Sequence, residues 1–300
     1  MHIGILSART ARYHPNRRLI EAAAQAGHRA VLLHPKNCIS NISADSLSVE
    51  ISGAPQKIDV LLPRIGASIN QYALTLVRHF ELSGIPVVND FQSLLLTRNK
   101  FLSLQTLARN GIPVPESYYV SNIKNFEQAV SRLGGYPVVA KIINSRQGKG
   151  VMVVESAIIA KFIMDNLMDR SQGLLLQQFI HPDRRRDIRA LVLGDRVVAA
   201  MELKPSRGDF RTNIHLNGKG RTTTLDKEIQ ELAVRSSRAL GLKISGTDII
   251  LDAHGAPWVI EANYSPGFRG LEAAAGLDVA SNIIQYVVQT CGGNRCISPF

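Results

Sequence analysis

The sequence predicts an α/β protein whose N-terminal part is Rossmann-like and whose C-terminal part is rich in strands. Three observations carry that prediction. Apolar strand-like runs alternate with amphipathic helices over the first ninety residues, the pattern of a parallel sheet. Two prolines, Pro113 and Pro115, force extended chain and mark a boundary. Beyond residue 180, strands dominate. Three hundred residues, 45% of them hydrophobic, bury a sizeable core, and at roughly 100–200 residues per domain they suggest two or three domains.

Taken in order, the opening Met1-His2-Ile3-Gly4-Ile5-Leu6 lacks the basic start, long apolar run and small-residue cleavage site of a signal peptide. It reads as a first buried strand at 3–6, with further strands at 30–33, 60–63 and 86–88. The helix at 17–26 ends at Gly27, a C′ glycine. No G-x-G-x-x-G follows the first strand, which argues against a dinucleotide site there. A second helix spans 92–110 and stops at Gly111. From 117 to 180 the pattern is strand, helix, strand, glycine loop, strand, helix, strand. Strands at 189–193, 197–203, 247–252 and 258–263 follow, with helices at 226–240 and 278–290. The chain thus divides into 1–90, a Rossmann-like domain; 91–180, a linking helix and first α+β subdomain; 181–290, a second; and 291–300, a flexible tail.

No stretch reaches the ~18 consecutive apolar residues of a membrane span, and a cytoplasmic location is expected. Cys38, Cys291 and Cys296 form no C-x-x-C pair, and no further ligand near the last two completes a four-ligand metal site. The formal charge of +11 draws polyanions of any kind, from nucleotide phosphates to acidic peptides. Only Arg184-Arg185-Arg186 is a dense basic run, so no direct nucleic-acid contact is required.

The most specific chemistry lies between Gly246 and Asn263. Two aliphatic runs around His254-Gly255 read as a β-hairpin. With the turn centred there, Asp248 faces Glu261, and Asn263 projects on the same side as Glu261. Opposed like charges destabilise a sheet unless a cation lies between them. Asp, Glu and Asn oxygens are hard ligands suited to magnesium; the plainer alternative is an exposed hairpin with acids on its wet face.

Lys141 ends an apolar run and precedes a loop containing Gly148 and Gly150. A strand lysine before a glycine loop holds phosphate oxygens or belongs to a simple hairpin, and the pattern alone does not choose. Lys100 lies on a helix whose other face is apolar. The strand 174–180 ends in Gln178, Phe179 and Ile180, a slot where backbone at Gln178 and Ile180 would read adenine. Asp187 is placed to accept from ribose hydroxyls, and Arg189, two residues on, shares its face. The loop holding Arg207, Arg211 and Asn213 sets guanidiniums around Phe210, suited to carboxylate or phosphate.

Together these pieces resemble the ATP-grasp superfamily and, within it, the RimK-type family of ribosomal-protein glutamate ligases. The likeness runs from residue 1 to about 290. It rests on Leu62-Pro63-Arg64-Ile65-Gly66, Arg98-Asn99-Lys100, Lys141 with Gln147-Gly148-Lys149-Gly150, Asp187-Ile188-Arg189, Gly208 to Asn213, Gly246-Thr247-Asp248 and Glu261 to Gly267. It implies an ATP-grasp fold behind a pre-ATP-grasp domain, with 91–180 as the lid subdomain and 181–290 as the catalytic one. Nucleotide would lie between them, on Lys100, Lys141, Gln178 to Ile180 and Asp187. Asp248, Glu261 and Asn263 would hold two magnesium or manganese ions with Glu261 bridging, and Arg211 and Asn213 would face the phosphates. Two departures stand out: Gln178 replaces a usual Glu, and Tyr264 and Arg269 reshape the segment after the metal ligands.

The implied reaction is ATP-dependent amide formation through an acyl phosphate, with L-glutamate and an amine or peptide acceptor such as a ribosomal-protein C-terminus. Glu261, Asn263 and Arg211 would serve the chemistry, Arg64, Arg207 and Arg269 the acidic substrates, and the chain would form a homo-oligomer. A ligase for a small molecule, cofactor or amino-acid carrier, and a basic ribosome-associated binding module, are the alternatives.

Overall fold

The computed structural model describes residues 1–300 apart from 53, 56, 67–69, 144–149, 167–172, 205–218 and 293–300. Its strands are β1 (His2–Leu6), β2 (Arg29–Leu33), β3 (Cys38–Ile42), β4 (Leu47–Ile51), β5 (Ala54–Pro55), β6 (Val60–Pro63), β7 (Ser117–Val120), β8 (Val138–Ile142), β9 (Val151–Val154), β10 (Leu174–Gln178), β11 (Arg186–Leu193), β12 (Arg196–Lys204), β13 (Lys219–Thr222), β14 (Ile244–Leu251) and β15 (Pro257–Asn263). The helices are α1 (His14–Gln25), α2 (Gln71–Leu82), α3 (Phe91–Thr97), α4 (Lys100–Arg109), α5 (Ile123–Arg132), α6 (Ala157–Asn166), α7 (Lys227–Ala239), α8 (Arg269–Ala275) and α9 (Val279–Cys291). No described helix is long and apolar enough to cross a membrane.

Three of the sheets position the site. The first, β2-β1-β6, is parallel throughout, and apolar residues cover both of its faces. Leu6 and Leu61 enter one buried cluster with α2, whereas Ile3, Ile5, Val60 and Leu62 enter another with α1 and α9. Those clusters continue into the five-stranded sheet β13-β12-β11-β14-β15: Ile188, Ala190 and Val192 join the first, and Leu191 and Leu193 join the second. The parallel sheet and the five-stranded sheet therefore share their cores. The antiparallel sheet β7-β10-β8-β9 does not. With α5 and α6 it closes on its own cluster around Phe126, Val138, Ala140, Leu174 and Leu176.

The structure corrects the sequence reading at three places. The strand expected at 86–88 is a single parallel bridge, Leu61 to Val87. The helix expected at 92–110 is two helices, because Asn99 turns extended and its Oδ1 accepts from the backbone N–H groups of Phe101 and Leu102 at 2.9 and 3.1 Å, capping α4. Residues 38–55 add a small antiparallel sheet, β3-β4-β5, that the sequence reading did not include.

Candidate active site

The hairpin of β14 and β15 sets the acidic pair. Asp252 fixes its turn: Oδ1 accepts from the N–H groups of His254 and Ala256 at 2.9 and 3.0 Å, and Oδ2 accepts from Trp258 Nε1 at 3.0 Å. Gly255 supplies the positive φ of 83°. From the turn the register runs Leu251 to Pro257 and Ile249 to Val259, then shifts so that Asp248 stands opposite Glu261. The shift is a bulge at residue 260, and it brings the carboxylates level. A turn centred on His254-Gly255 implies the same pairing without a bulge; the real turn lies half a residue earlier, and the bulge compensates.

Neighbouring strands complete the cluster. Asn263 Nδ2 donates to Glu261 Oε1 at 3.1 Å. On β11, Arg189 lies in register with Asp248 and grips both of its oxygens, Nε to Oδ1 at 2.7 Å and Nη2 to Oδ2 at 2.6 Å. From the four-stranded sheet comes Lys141 on β8, only 7% exposed, its Nζ donating to Gln177 Oε1 at 2.6 Å. Gln177 Nε2 in turn donates to Ser117 Oγ at 3.0 Å. Lys100, the first residue of α4, reaches the carbonyl of Ile143 at 3.4 Å.

These charges act on one another. Burial drives the Lys141 ammonium down to about 8, and Lys100 adds to that against the pull of Glu261 and Asp248. Burial pushes the Glu261 carboxyl up, yet Lys100, Lys141 and Arg189 outweigh it and hold the group below its ordinary value. Burial raises Asp248 to about 6 although Arg189 opposes the rise. Cations from two sheets thus converge on a carboxylate pair.

The remaining expected residues are distributed as follows. Gln178 closes β10 with its N–H bonded to the Glu116 carbonyl at 2.8 Å. Phe179 is half-buried, and the carbonyl of Ile180 accepts from Arg185 Nη1 at 2.8 Å. Asp187 is buried and paired with Arg185 Nε at 2.8 Å, so any ribose hydroxyl there shares its carboxylate with that arginine. Gly150 adopts a φ of 76°, and its carbonyl accepts from the Ile142 N–H, closing the turn between β8 and β9. Arg64 is buried beyond the end of β6, and Arg269 is exposed at the start of α8. Gly148, Arg207, Arg211 and Asn213 lie outside the described residues, as does Cys296. Sequence reasoning missed the role of Gln177 in holding Lys141, although the paired amides of Gln177 and Gln178 were its signal.

A lid-like sheet with its own core, facing a sheet that carries paired carboxylates, is the architecture of the ATP-grasp ligases, enzymes that use ATP and a divalent metal. Residues 97–287 match the family model of the RimK-like ATP-grasp domain, and residues 1–94 that of the RimK PreATP-grasp domain. The chain belongs to the RimK family. It is 39% identical to a probable alpha-L-glutamate ligase of Stenotrophomonas maltophilia over 96% of this chain and 98% of the relative. Among solved structures it is similar to a RimK domain ATP-grasp protein of Sphaerobacter thermophilus, with a TM-score of 0.75 and 26% identity over 96% of this chain and 100% of that one. It shares its fold with the ATP-grasp ligase PsnB, solved with a phosphomimetic variant of a minimal precursor, Mg and ADP, at a TM-score of 0.76 and 18% identity over 96% and 98% of the two chains.

Proposed function

We propose that this ligase joins L-glutamate to the C-terminal carboxylate of a peptide acceptor, in the cytoplasm, through an acyl phosphate. The observation that carries the reading is the opposition of Asp248 and Glu261 beside Asn263, with Lys100 and Lys141 near enough for their charges to act on Glu261. The names of relatives such as the Stenotrophomonas protein supply glutamate, and the solved complex of PsnB with a precursor peptide makes a peptide substrate natural for the fold. A ribosomal-protein C-terminus is one acceptor of that class.

The donor set fits magnesium or manganese: three hard oxygen ligands on one face, with repulsion between two carboxylates that a cation relieves. Asp248, Glu261 and Asn263 would hold the metal, which when bound neutralises charge on the phosphates. The protein's own groups do the rest. Lys141, fixed by Gln177, and Lys100 hold phosphate oxygens, positioning the γ-phosphorus for in-line attack by the acceptor carboxylate, which breaks the bond to the β-phosphate and releases ADP. The glutamate amine then attacks the activated carbonyl, and phosphate leaves. Arg189 keeps Asp248 oriented and ionised throughout. Phe179 and Ile180 provide the half-buried wall for adenine.

The direct test is phosphate release from magnesium-ATP with L-glutamate and candidate acceptors, including a ribosomal-protein C-terminal peptide, beside Glu261→Ala. Acceptor-dependent release that Glu261→Ala lowers at least 100-fold is expected. Equal release with glutamine in place of glutamate, or release that ignores every acceptor, would sink the glutamate assignment.

A further inference from the structure

Asn263 is the last residue of β15, and a strand end frays unless the chain beyond it is tied down. A ligand side chain at such an end is only as well oriented as the groups behind it make it. The five residues that follow, Tyr264 to Phe268, belong to no strand or helix before Arg269 opens α8. Even so, Tyr264 is 9% exposed and Phe268 is fully buried.

Three hydrogen bonds hold this turn, and each reaches far back along the chain. The Tyr264 carbonyl accepts from Asn89 Nδ2 at 2.9 Å. The Tyr264 hydroxyl donates to the Gly66 carbonyl at 2.9 Å. Arg64 Nη2 donates to the Pro266 carbonyl at 2.6 Å, and its guanidinium lies 5.7 Å from the centre of the Phe268 ring. Residues 64, 66 and 89 all lie within the PreATP-grasp match, residues 1–94. On the opposite side Pro266 packs against Gly246, the residue in register with Asn263; a Cβ at Gly246 would come within 2.8 Å of the Pro266 Cβ.

The Arg64 bond is a costly one. A buried guanidinium recovers less from a neutral carbonyl than from a carboxylate. Burial lowers the Arg64 guanidinium to about 10, so it stays charged at neutral pH. Its own backbone is fixed as well, with the Arg64 N–H donating to the Leu6 carbonyl at 2.7 Å. Arg64 was expected to hold an acidic substrate; its Nη2 is committed instead to the turn beside the metal ligands. At position 264 a phenylalanine would fill the same space, and what tyrosine adds is a directional bond to Gly66.

We propose that Tyr264, together with Arg64, is a positioning residue for the metal ligands: its hydroxyl, bonded to the Gly66 carbonyl, fixes the turn after β15 and so keeps Asn263 beside Glu261. The inference rests on the assignment of Asp248, Glu261 and Asn263 to metal. Tyr264 acts through Asn263 and contributes no ligand of its own. The PreATP-grasp part of the chain thereby sets metal affinity from outside the ATP-grasp domain.

The test adds Mn2+ to the full chain saturated with ADP and follows the Mn2+ electron paramagnetic resonance signal in the wild type, Asn263→Ala, Tyr264→Phe and Tyr72→Phe. Tyr72→Phe is the matched control, because it also removes a hydroxyl bonded to a backbone carbonyl, that of Cys38 at 2.8 Å, but beside the small sheet β3-β4-β5. Tyr264→Phe should raise the Kd for Mn2+ at least threefold, Asn263→Ala should raise it further, and Tyr72→Phe should leave it unchanged. In phosphate release, Tyr264→Phe should need at least three times more Mg2+ for half-activation, with kcat at saturating Mg2+ within twofold of wild type. Gly246→Ala, which pushes the same turn through Pro266, should shift Mn2+ binding in the same direction. Arg64→Lys, which can still donate to the Pro266 carbonyl, should bind Mn2+ more tightly than Arg64→Met. Mn2+ binding that Asn263→Ala weakens and Tyr264→Phe does not would overturn the positioning role and leave the metal assignment standing. Binding that Asn263→Ala leaves unchanged would overturn both. Equal weakening in Tyr264→Phe and Tyr72→Phe would reduce the effect to a general loss of stability and overturn the positioning role as well.

Discussion

Lys141 shows how a single residue can be tuned for the phosphate it is proposed to meet. A buried ammonium with a proton affinity near 8 is partly neutral in mildly alkaline solution, and the glutamine that holds it adds no charge. Binding a polyphosphate would stabilise the protonated form, so ATP affinity should be full below pH 8 and weaken as pH rises through it. The sign for folding is the reverse. An unfolded lysine keeps its proton to about 10.4, so between pH 8 and 10 the native state binds fewer protons and gains stability as pH rises. Lys141→Arg, which keeps its charge, should bind ATP with no loss between pH 7.5 and 9, whereas the wild type should lose several-fold. Fluorescence titration with a nucleotide analogue reads both, and a wild-type affinity flat across that range would refute the assignment.

At the scale of elements, Lys100 begins α4, an end where the helix dipole disfavours a cation by roughly 0.3–1 kcal/mol. Its placement depends on Asn99, whose cap separates α3 from α4. Asn99→Ala should lower stability by about 1 kcal/mol in denaturant melts and raise the KM for ATP several-fold at nearly constant kcat; Asn99→Asp, which caps equally well, should restore both. A KM unmoved by Asn99→Ala would mean that the cap does not position Lys100. That break also marks a limit of the sequence. Leu94, Leu95, Phe101, Leu104 and Leu107 keep a helical period across 92–110, so periodicity reads one helix, and only the side-chain bond of Asn99 ends it. The strands and hairpin were legible because their apolar runs are long and bounded by glycine and proline. The opposition of Asp248 and Glu261 was legible too, although the bulge at residue 260 that produces it leaves no mark in the residue pattern. The sheet β3-β4-β5 is harder to read: β3 is exposed along all but its first residue and β5 has only two residues, so β4, whose Leu47, Val49 and Ile51 alternate with Ser48 and Glu50, is a lone signal without a legible partner. The pairing of Asp187 with Arg185 was hidden for another reason: which of three consecutive arginines turns inward is decided by the fold.

For the whole molecule, the division of cores decides what moves with what. The parallel sheet and the five-stranded sheet share two clusters, and Asn89 ties them at a point that is 2% exposed. Its Nδ2 donates to the carbonyls of Ile244 and Tyr264 at 2.7 and 2.9 Å, and its Oδ1 accepts from the N–H groups of Lys243 and Ile244 at 2.7 and 2.8 Å. Nothing else of that size can replace four bonds to backbone. Asn89→Ala strands those groups in the interior, at an expected cost of about 3–5 kcal/mol and a fall in Tm on the order of 10 °C. The loss should be confined to one body. The sheet β7-β10-β8-β9 closes on a separate cluster around Phe126, so hydrogen exchange in β8 and β10 should keep its wild-type protection in the variant while β1, β11 and β14 exchange faster. Faster exchange spread evenly over all three sheets would mean a single cooperative core. Protection retained in the four-stranded sheet alone would identify it as the part free to close over nucleotide while the rest holds the carboxylates still.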